Sequence, residues 1–502
     1  MFVRRLAPTA VAAICMAASI TGQNTNPVIS SAAKAMGTDA LTSITYSGTA
    51  RNGAFGQSKS IGEPMGAVNL TQVTGYTRTI TFAPASDAAA IVSRTSGQTQ
   101  PPTIPGVPPQ PAGTLNQNIT GAQATSNWTQ ALNIWTTPWG FVKGAAANNA
   151  TVRQQGGQQV VTFSPAGFKS PSGQAYSVTG YINNANLVTK VETRVDHAVV
   201  GDLLVEFEYS DYRTMNGVQV PGRIVQKQAG MATFDAAITS ATANPANLTE
   251  LLTVPPPAAA PGAAPPGGRG APGAQAPTAA PAGPPVEKIG EGAFKIGGNY
   301  TSLAIDMGDH ILVVESGQND ARGVAVMAAA KQAIPNKPIR FVVNSHAHFD
   351  HAGGLGAAVA EGATILTHRN NEQVLERLLS GPRTLIGDSL AKATNKRTNV
   401  VQAVGDRDVR KGTTGKVIEL HHFPNEHTNG LLVAYLPAEK LLWTADITIV
   451  NPTPVQLATV KAAVTTIEKL KLDYETWLPA HPPNPDRPLK KQDVTAAAGG
   501  SD

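Results

Sequence analysis

The strongest constraint on this 502-residue chain is a break in it. From Val254 to Pro285 the sequence runs Pro-Pro-Pro-Ala-Ala-Ala-Pro-Gly and variations on it, with Arg269 the only charged side chain. Such a tract has too little large apolar surface to bury, and its prolines hold the backbone extended. It predicts a linker over 254–285 between two halves, each long enough to bury a core of its own. The 48 glycines and 38 prolines fit a chain with part of its length outside compact structure. A net charge of +5 with no Lys/Arg cluster gives no electrostatic footprint for nucleic acid, and no such partner is expected.

The N-terminus reads Met1-Phe2-Val3-Arg4-Arg5, then an apolar stretch from Leu6 to Ile20 and a polar run, Thr21 to Asn24. Two positive charges before a short apolar segment predict a secretory signal over 1–22, and so an exported protein, periplasmic or secreted. The stretch is shorter than the ~20 apolar residues of a spanning helix, so no transmembrane segment is expected once the signal is removed. Cys15, the only cysteine, lies inside this stretch. The mature chain would then have no thiol, and any metal site must be built from histidines and carboxylates.

The half from 26 to 253 reads as β-rich. Val205, Phe207 and Tyr209 alternate with Glu206 and Glu208, the period of a half-buried strand. Asn216-Gly217 predicts a hairpin turn before Val218-Gln219-Val220, and a second strand pair turns near Asn183-Asn184. A helix is expected over about Trp128 to Ala147. The half from 286 to 494 alternates strands and helices: strands at 302–305, 311–314, 341–343, 364–366, 431–436 and 441–443, and helices at 322–333 and around Leu457 to Ile467. This order predicts an α/β sandwich of layered sheets, with a flexible tail over 495–502.

The chemistry concentrates in His346-Ala347-His348-Phe349-Asp350-His351. The run follows the apolar strand 341–343 and precedes Gly353-Gly354, where a helix can start. Two imidazoles one residue apart can face one metal ion, and Asp350 and His351 a second. The run resembles the signature of the metallo-β-lactamase superfamily, and the rest of this half supplies matching positions in order. His427 stands before a strand in Asn425-Glu426-His427-Thr428-Asn429-Gly430, Asp446 ends a strand in Trp443-Thr444-Ala445-Asp446, and His481 ends Leu478-Pro479-Ala480-His481. Glu315-Ser316-Gly317 takes the place of the family's Asp-x-Gly, a brace for the metal loop.

The resemblance implies an α/β fold, a C-terminal αββα metallo-β-lactamase sandwich preceded by a β-rich (α+β) N-terminal domain. It implies that His346, His348 and His427 hold one metal, that Asp350, His351 and His481 hold another, and that Asp446 bridges them. Zinc is the implied cofactor, two ions per chain, with iron or manganese acceptable to the same donors. A water between the ions would attack a small-molecule substrate, with Asp350 orienting it and receiving protons. The run Ser210-Asp211-Tyr212-Arg213 with Gly217 to Pro221 resembles N-terminal domains of some secreted relatives, which look like the half-barrel of lipoprotein-carrier proteins. That would mean a curved antiparallel sheet wrapped on a helix; a plain β-rich packing domain is the other reading.

Departures from the family narrow the chemistry. Lactam-cleaving members often carry a lysine shortly after the position of Asp446, whereas Ile447-Thr448-Ile449 follow here. Thioesterase relatives of the glyoxalase type need a helical extension after the final histidine, and little chain follows His481. Pro482-Pro483 stand where a glycine is common, which bears on the His481 loop. The expected activity is hydrolysis of a small ester, lactone or amide-like compound. The alternatives are a mononuclear iron enzyme of the persulfide-dioxygenase kind, or a periplasmic carrier of apolar ligand with a structural metal domain. Among the other histidines, His421 and His422 are expected in packing and solvated roles, His368 at a strand end, and His197 and His310 at the surface.

Overall fold

The computed structural model describes residues 26–59, 70–83, 85–104, 107, 109–255, 283–394 and 397–499. The expected signal at 1–22, and the linker apart from its ends, lie outside the described residues. Among these, no helix is long and apolar enough to cross a membrane.

The N-terminal half forms one eleven-stranded sheet in which every neighbouring pair is antiparallel. Its first strand, Ser43–Asn52, pairs with its last, Met231–Ala243, so the chain closes on itself before the linker. One face of the sheet packs on helices Pro27–Met36, Trp128–Trp135 and Pro138–Ala147, through Ile29, Met36, Trp139, Phe141 and Val142 among others. The helix expected over Trp128 to Ala147 is therefore two. Thr137 caps the second by accepting from the Gly140 amide at 3.0 Å, and Pro138 occupies its first turn, where a missing N–H costs nothing. The hairpin at Asn216-Gly217 is present, with φ of 49° and 76° at the two positions, a left-handed pair that asparagine and glycine tolerate.

The C-terminal half is an αββα sandwich. A seven-stranded sheet begins at Val286–Gly290 and ends at Val401–Val404, and a six-stranded sheet spans Arg407–Lys411 to Leu489–Lys490. Leu303, Leu312, Val314, Val343 and Leu366 of the first meet Leu420, Leu432, Ala434, Trp443 and Trp477 of the second in a common core. Helices Asp320–Ala333, Leu355–Ala360 and Arg369–Ser380 cover the outer face of the first sheet. Pro454–Leu470 and Lys491–Ala498 cover the other. Residues 495–498, expected in a tail, continue that last helix, which is pinned by the buried Val494.

The two halves are docked. Arg383, in an ion pair with Asp388 at 2.6 Å and almost wholly buried, donates to the carbonyls of Ala198 and Val199 at 2.6 and 3.0 Å. Asp202 answers by accepting from the amides of Thr384 and Leu385 at 3.1 and 2.9 Å. Phe55 meets Phe349 edge to face at 5.0 Å between ring centres, and the His197 ring lies 5.2 Å from Phe349. His197 is thus not the surface residue its sequence context suggests: burial and the Arg383 charge lower its pKa to about 4, and its Nδ1 accepts from the amides of Val199 and Val200. His310 is also inside, 8% exposed, because the turn at Gly308-Asp309 folds its ring edge-on against Phe341.

Candidate metal centre

Four loops at one end of the sandwich carry the ionisable groups. Strand Ile339–Val343 delivers His346, His348, Asp350 and His351; the loop before Leu432–Leu436 carries His427; Asp446 follows Leu441–Trp443, and His481 follows Thr476–Leu478. Each strand is apolar and buried beside its loop, so core packing anchors the loop that carries the polar residue. Local bonds set the rest. Asn425 accepts from the amides of His427 and Thr428 at 2.7 and 2.9 Å, and the Ala480 amide donates to the Ala445 carbonyl at 2.7 Å, joining the Asp446 and His481 loops.

All seven residues expected at the site come together, as two clusters of ligating atoms: His346, His348, His427 and Asp446, and Asp350, His351, His481 and Asp446. Asp446 belongs to both. Its Oδ2 lies 3.0 Å from His427 Nε2 and 3.7 Å from His346 Nε2, while its Oδ1 lies 2.8 Å from His351 Nε2 and 3.0 Å from His481 Nε2. Asp350 Oδ2 is 3.5 Å from the Nε2 atoms of both His351 and His481. His481 therefore reaches its cluster despite the following Pro482-Pro483.

The hydrogen bonds on the far side of each ring decide which nitrogen is free. The Ser345 hydroxyl donates to Glu315 Oε2 at 2.8 Å and accepts from His346 Nδ1 at 3.0 Å, leaving His346 Nε2 with a lone pair facing inward. His351 Nδ1 donates to the same Glu315 oxygen at 3.0 Å. His348 is turned the other way: its Nε2 donates to the Ser58 carbonyl at 3.2 Å, so Nδ1 faces the cluster. The inward atoms, Nε2 of His346, His351 and His427 and Nδ1 of His348, are buried and make no well-aligned hydrogen bond. Burying such groups unpaired is costly, and a cation among them removes that cost. The donor set, imidazoles with shared carboxylate, fits a divalent metal of the zinc type.

Electrostatics separate the clusters. Burial and neighbouring imidazoles keep His346 and His348 neutral, His348 with a pKa lowered to about 3. In the second cluster burial opposes charge, but Asp446 and Asp350 outweigh it, raising His351 and taking His481 up to about 9. The same attractions overcome burial to hold Asp350 and Asp446 well below the usual carboxylate range. Glu315, wholly buried, is the brace: its other oxygen accepts from the amides of Ser316 and Gly317 at 3.0 and 3.3 Å. Glu315 and Ala445 have φ of 69° and 51°, a left-handed conformation that costs ~1–3 kcal/mol in a non-glycine residue and concentrates at functional sites.

Several residues at the site carry no mark in the sequence. The Tyr300 hydroxyl donates to Asp350 Oδ2 at 3.2 Å, and burial with the Asp350 and Asp446 charges keeps that phenol protonated. From the N-terminal half, Gln57 Nε2 donates to Asp350 Oδ1 at 2.6 Å, and Lys59 pairs with Glu426 at 2.8 Å. A third cluster, His368, Asp406 and His422, lies apart, its two rings stacked at 4.1 Å. There Arg369, 2.6 Å from Asp406, already supplies a positive charge. His421 packs inside against Glu419, and Asn425 serves its loop.

The family model of the Metallo-beta-lactamase superfamily matches residues 297–481, the stretch that holds every one of the seven. The C-terminal domain belongs to that superfamily. The chain is 27% identical, over 189 residues, to the alpha subunit of a 2,4-dinitroanisole O-demethylase from Nocardioides sp. (strain JS1661). That match takes in 37% of this chain and 53% of the relative, so the chain spans about half the length of the curated relative it matches. Among solved structures, a metallo-beta-lactamase from Pontibacter korlensis is similar at 16% identity and a TM-score of 0.33, covering 43% of this chain and 97% of its own. The sec-alkylsulfatase Pisa1 from Pseudomonas sp. is similar at 19% identity and 0.31, covering 43% and 40%.

Proposed function

We propose that this chain is an exported hydrolase that holds two divalent metal ions, zinc by preference, and cleaves a small ester, lactone or amide-like molecule. One observation carries the two-metal reading: the Asp446 carboxylate turns one oxygen to each cluster. A mononuclear site would need only one of them. His346, His348 and His427 would hold one ion and Asp350, His351 and His481 the other, with Asp446 shared. Such ions lower the pKa of water and stabilise negative charge developing on a substrate oxygen.

The chain's own groups then place the attacking water. Asp350, held ionised, accepts a hydrogen bond from that water at Oδ2 and so orients it. Tyr300, held protonated, donates to that same oxygen and fixes its direction. Behind Asp446, Ile447 and Ile449 are buried, and no lysine stands there to meet a β-lactam carboxylate. Export rests on the sequence of residues 1–22, and the relative's name adds aryl methyl ethers to the compounds worth testing.

The test is metal analysis of the purified full-length protein joined to a screen of esters, lactones, amides, thioesters, aryl ethers and β-lactams. About two ions per chain are expected, with hydrolysis that a chelator abolishes and added zinc restores. Fewer than one ion per chain, together with chelator-insensitive turnover, would sink the reading.

A further inference from the structure

We propose that the N-terminal domain is a working part of the metal centre: its segment Gly56–Lys59 holds two ligands of the metallo-beta-lactamase domain in ligating orientation, making Gln57 and Ser58 positioning residues. The inference rests on the two-metal reading above and adds to it a dependence that no match to residues 297–481 contains.

The segment leaves the end of strand Ser43–Asn52 and runs across both metal loops. The Gly56 carbonyl accepts from the Phe349 amide at 3.1 Å, and the Lys59 carbonyl from the Asn429 amide at 2.9 Å. These bonds tie it to the His346–His351 run on one side and the His427 loop on the other. Gly56 has a φ of 79°, and a Cβ there would come within 2.1 Å of the Phe349 ring, so the backbone sits as close to the metal loop as glycine alone allows.

Two contacts reach the ligands themselves. Ser58, 3% exposed, accepts the His348 Nε2 proton, and this is the bond that leaves Nδ1 free. A metal-binding histidine depends on such a partner for its tautomer and its ring angle. Gln57 donates its amide proton to Asp350 Oδ1, occupying that oxygen and leaving Oδ2 turned towards His351 and His481. One ligand in each cluster is therefore oriented from outside the domain that supplies all seven.

The segment also contributes selectivity. Gln57 is exposed beside Asp350, so it forms part of the wall a substrate passes to reach Oδ2. Its amide, with one N–H spent on Asp350, has a second N–H and a carbonyl oxygen to offer a polar substrate group.

Three variants of the full-length chain test this, with cobalt(II) as the probe ion, read by its visible absorption and by competition with a chromophoric chelator. Gln57→Met keeps the side-chain length without the donor. It should weaken the second ion about 10–100-fold and leave the first within about threefold, with an unchanged melting temperature. Gln57→Asn, which keeps a neutral amide donor on a shorter side chain, should recover part of that loss. Gly56→Ala should displace the segment from Phe349 and weaken both ions, with an altered cobalt spectrum at the first site. If Gly56→Ala does not fold, the two Gln57 variants decide alone. Wild-type affinity for both ions in Gln57→Met, or an equal loss at both sites that tracks a lower melting temperature, overturns the inference and leaves the two-metal reading standing. A wild-type protein that takes up no cobalt overturns both.

Discussion

Replacing Glu315 with glutamine is the most telling single change, because all four groups that meet this carboxylate are donors. Oε1 accepts from two backbone amides, and Oε2 accepts from the Ser345 hydroxyl and His351 Nδ1. A glutamine must turn its NH2 towards one pair or the other. Facing the two amides, it leaves buried N–H groups opposed, at a cost of ~1–3 kcal/mol for each group left unpaired. Facing Ser345 and His351, it can be satisfied only if the imidazole moves its proton to Nε2, the atom that points at Asp446 and would hold a metal. Either way a charge-assisted bond worth ~1.5–3 kcal/mol is lost, equivalent to about 10–150-fold in an affinity. We expect that loss at the cluster containing His351. A smaller one should follow at the other cluster, reached through Ser345 and His346. Glu315→Asp keeps the charge and should lose less. Chelator competition on the loaded protein and urea unfolding of the metal-free protein give the two quantities separately. Unchanged affinity and unchanged stability in Glu315→Gln would refute the account of Glu315 as the group that sets both tautomers.

Two further outcomes follow from the junction between the halves. His197 is held neutral, with a pKa of about 4 against an ordinary 6.5. Above pH 6.5 both folded and unfolded chains carry it uncharged, and no penalty arises. As pH falls from 6.5 towards 4 the unfolded chain binds the proton first, so roughly 3 kcal/mol of stability should drain away across that window. Urea unfolding at several pH values, on the wild type and His197→Phe, should give a difference that changes with this slope; a flat difference counts against it. Arg383→Met should cost about 3–5 kcal/mol, since it strands the buried Asp388 and frees two carbonyls of the N-terminal half. Calorimetry should then resolve two unfolding transitions where the wild type shows one, and a single unshifted transition would show that the pair does not join the halves.

What the sequence disclosed and what it withheld divide along a physical line. The run from His346 to His351 and the positions of His427, Asp446 and His481 were legible because each stands in a loop beside an apolar strand, and strands are marked by local pattern. Glu315 was legible for the same reason. Gln57, Ser58 and Tyr300 were not, since an ordinary polar residue gains its role only when a distant segment packs against it. His197 and His310 misled for the same cause: each follows an aspartate in sequence, while their neighbours in space are Phe349 and Phe341. The break at Pro138 was written in Thr137-Pro138, the residues that open a helix, but apolar side chains continue on both sides of it and read as one segment.

On the proposed two-metal reading, the shared carboxylate of Asp446 has a thermodynamic consequence beyond its place in the geometry. Two sites that divide one ligand are not independent: the occupancy of either changes the charge and freedom of the group the other must use. Whatever factor the first ion imposes on the second, the second imposes on the first. Metal content and activity therefore need not rise together as the protein is loaded. The curvature of the loading isotherm, measured as departure from two equal and separate sites, reports directly on how strongly that one side chain couples them.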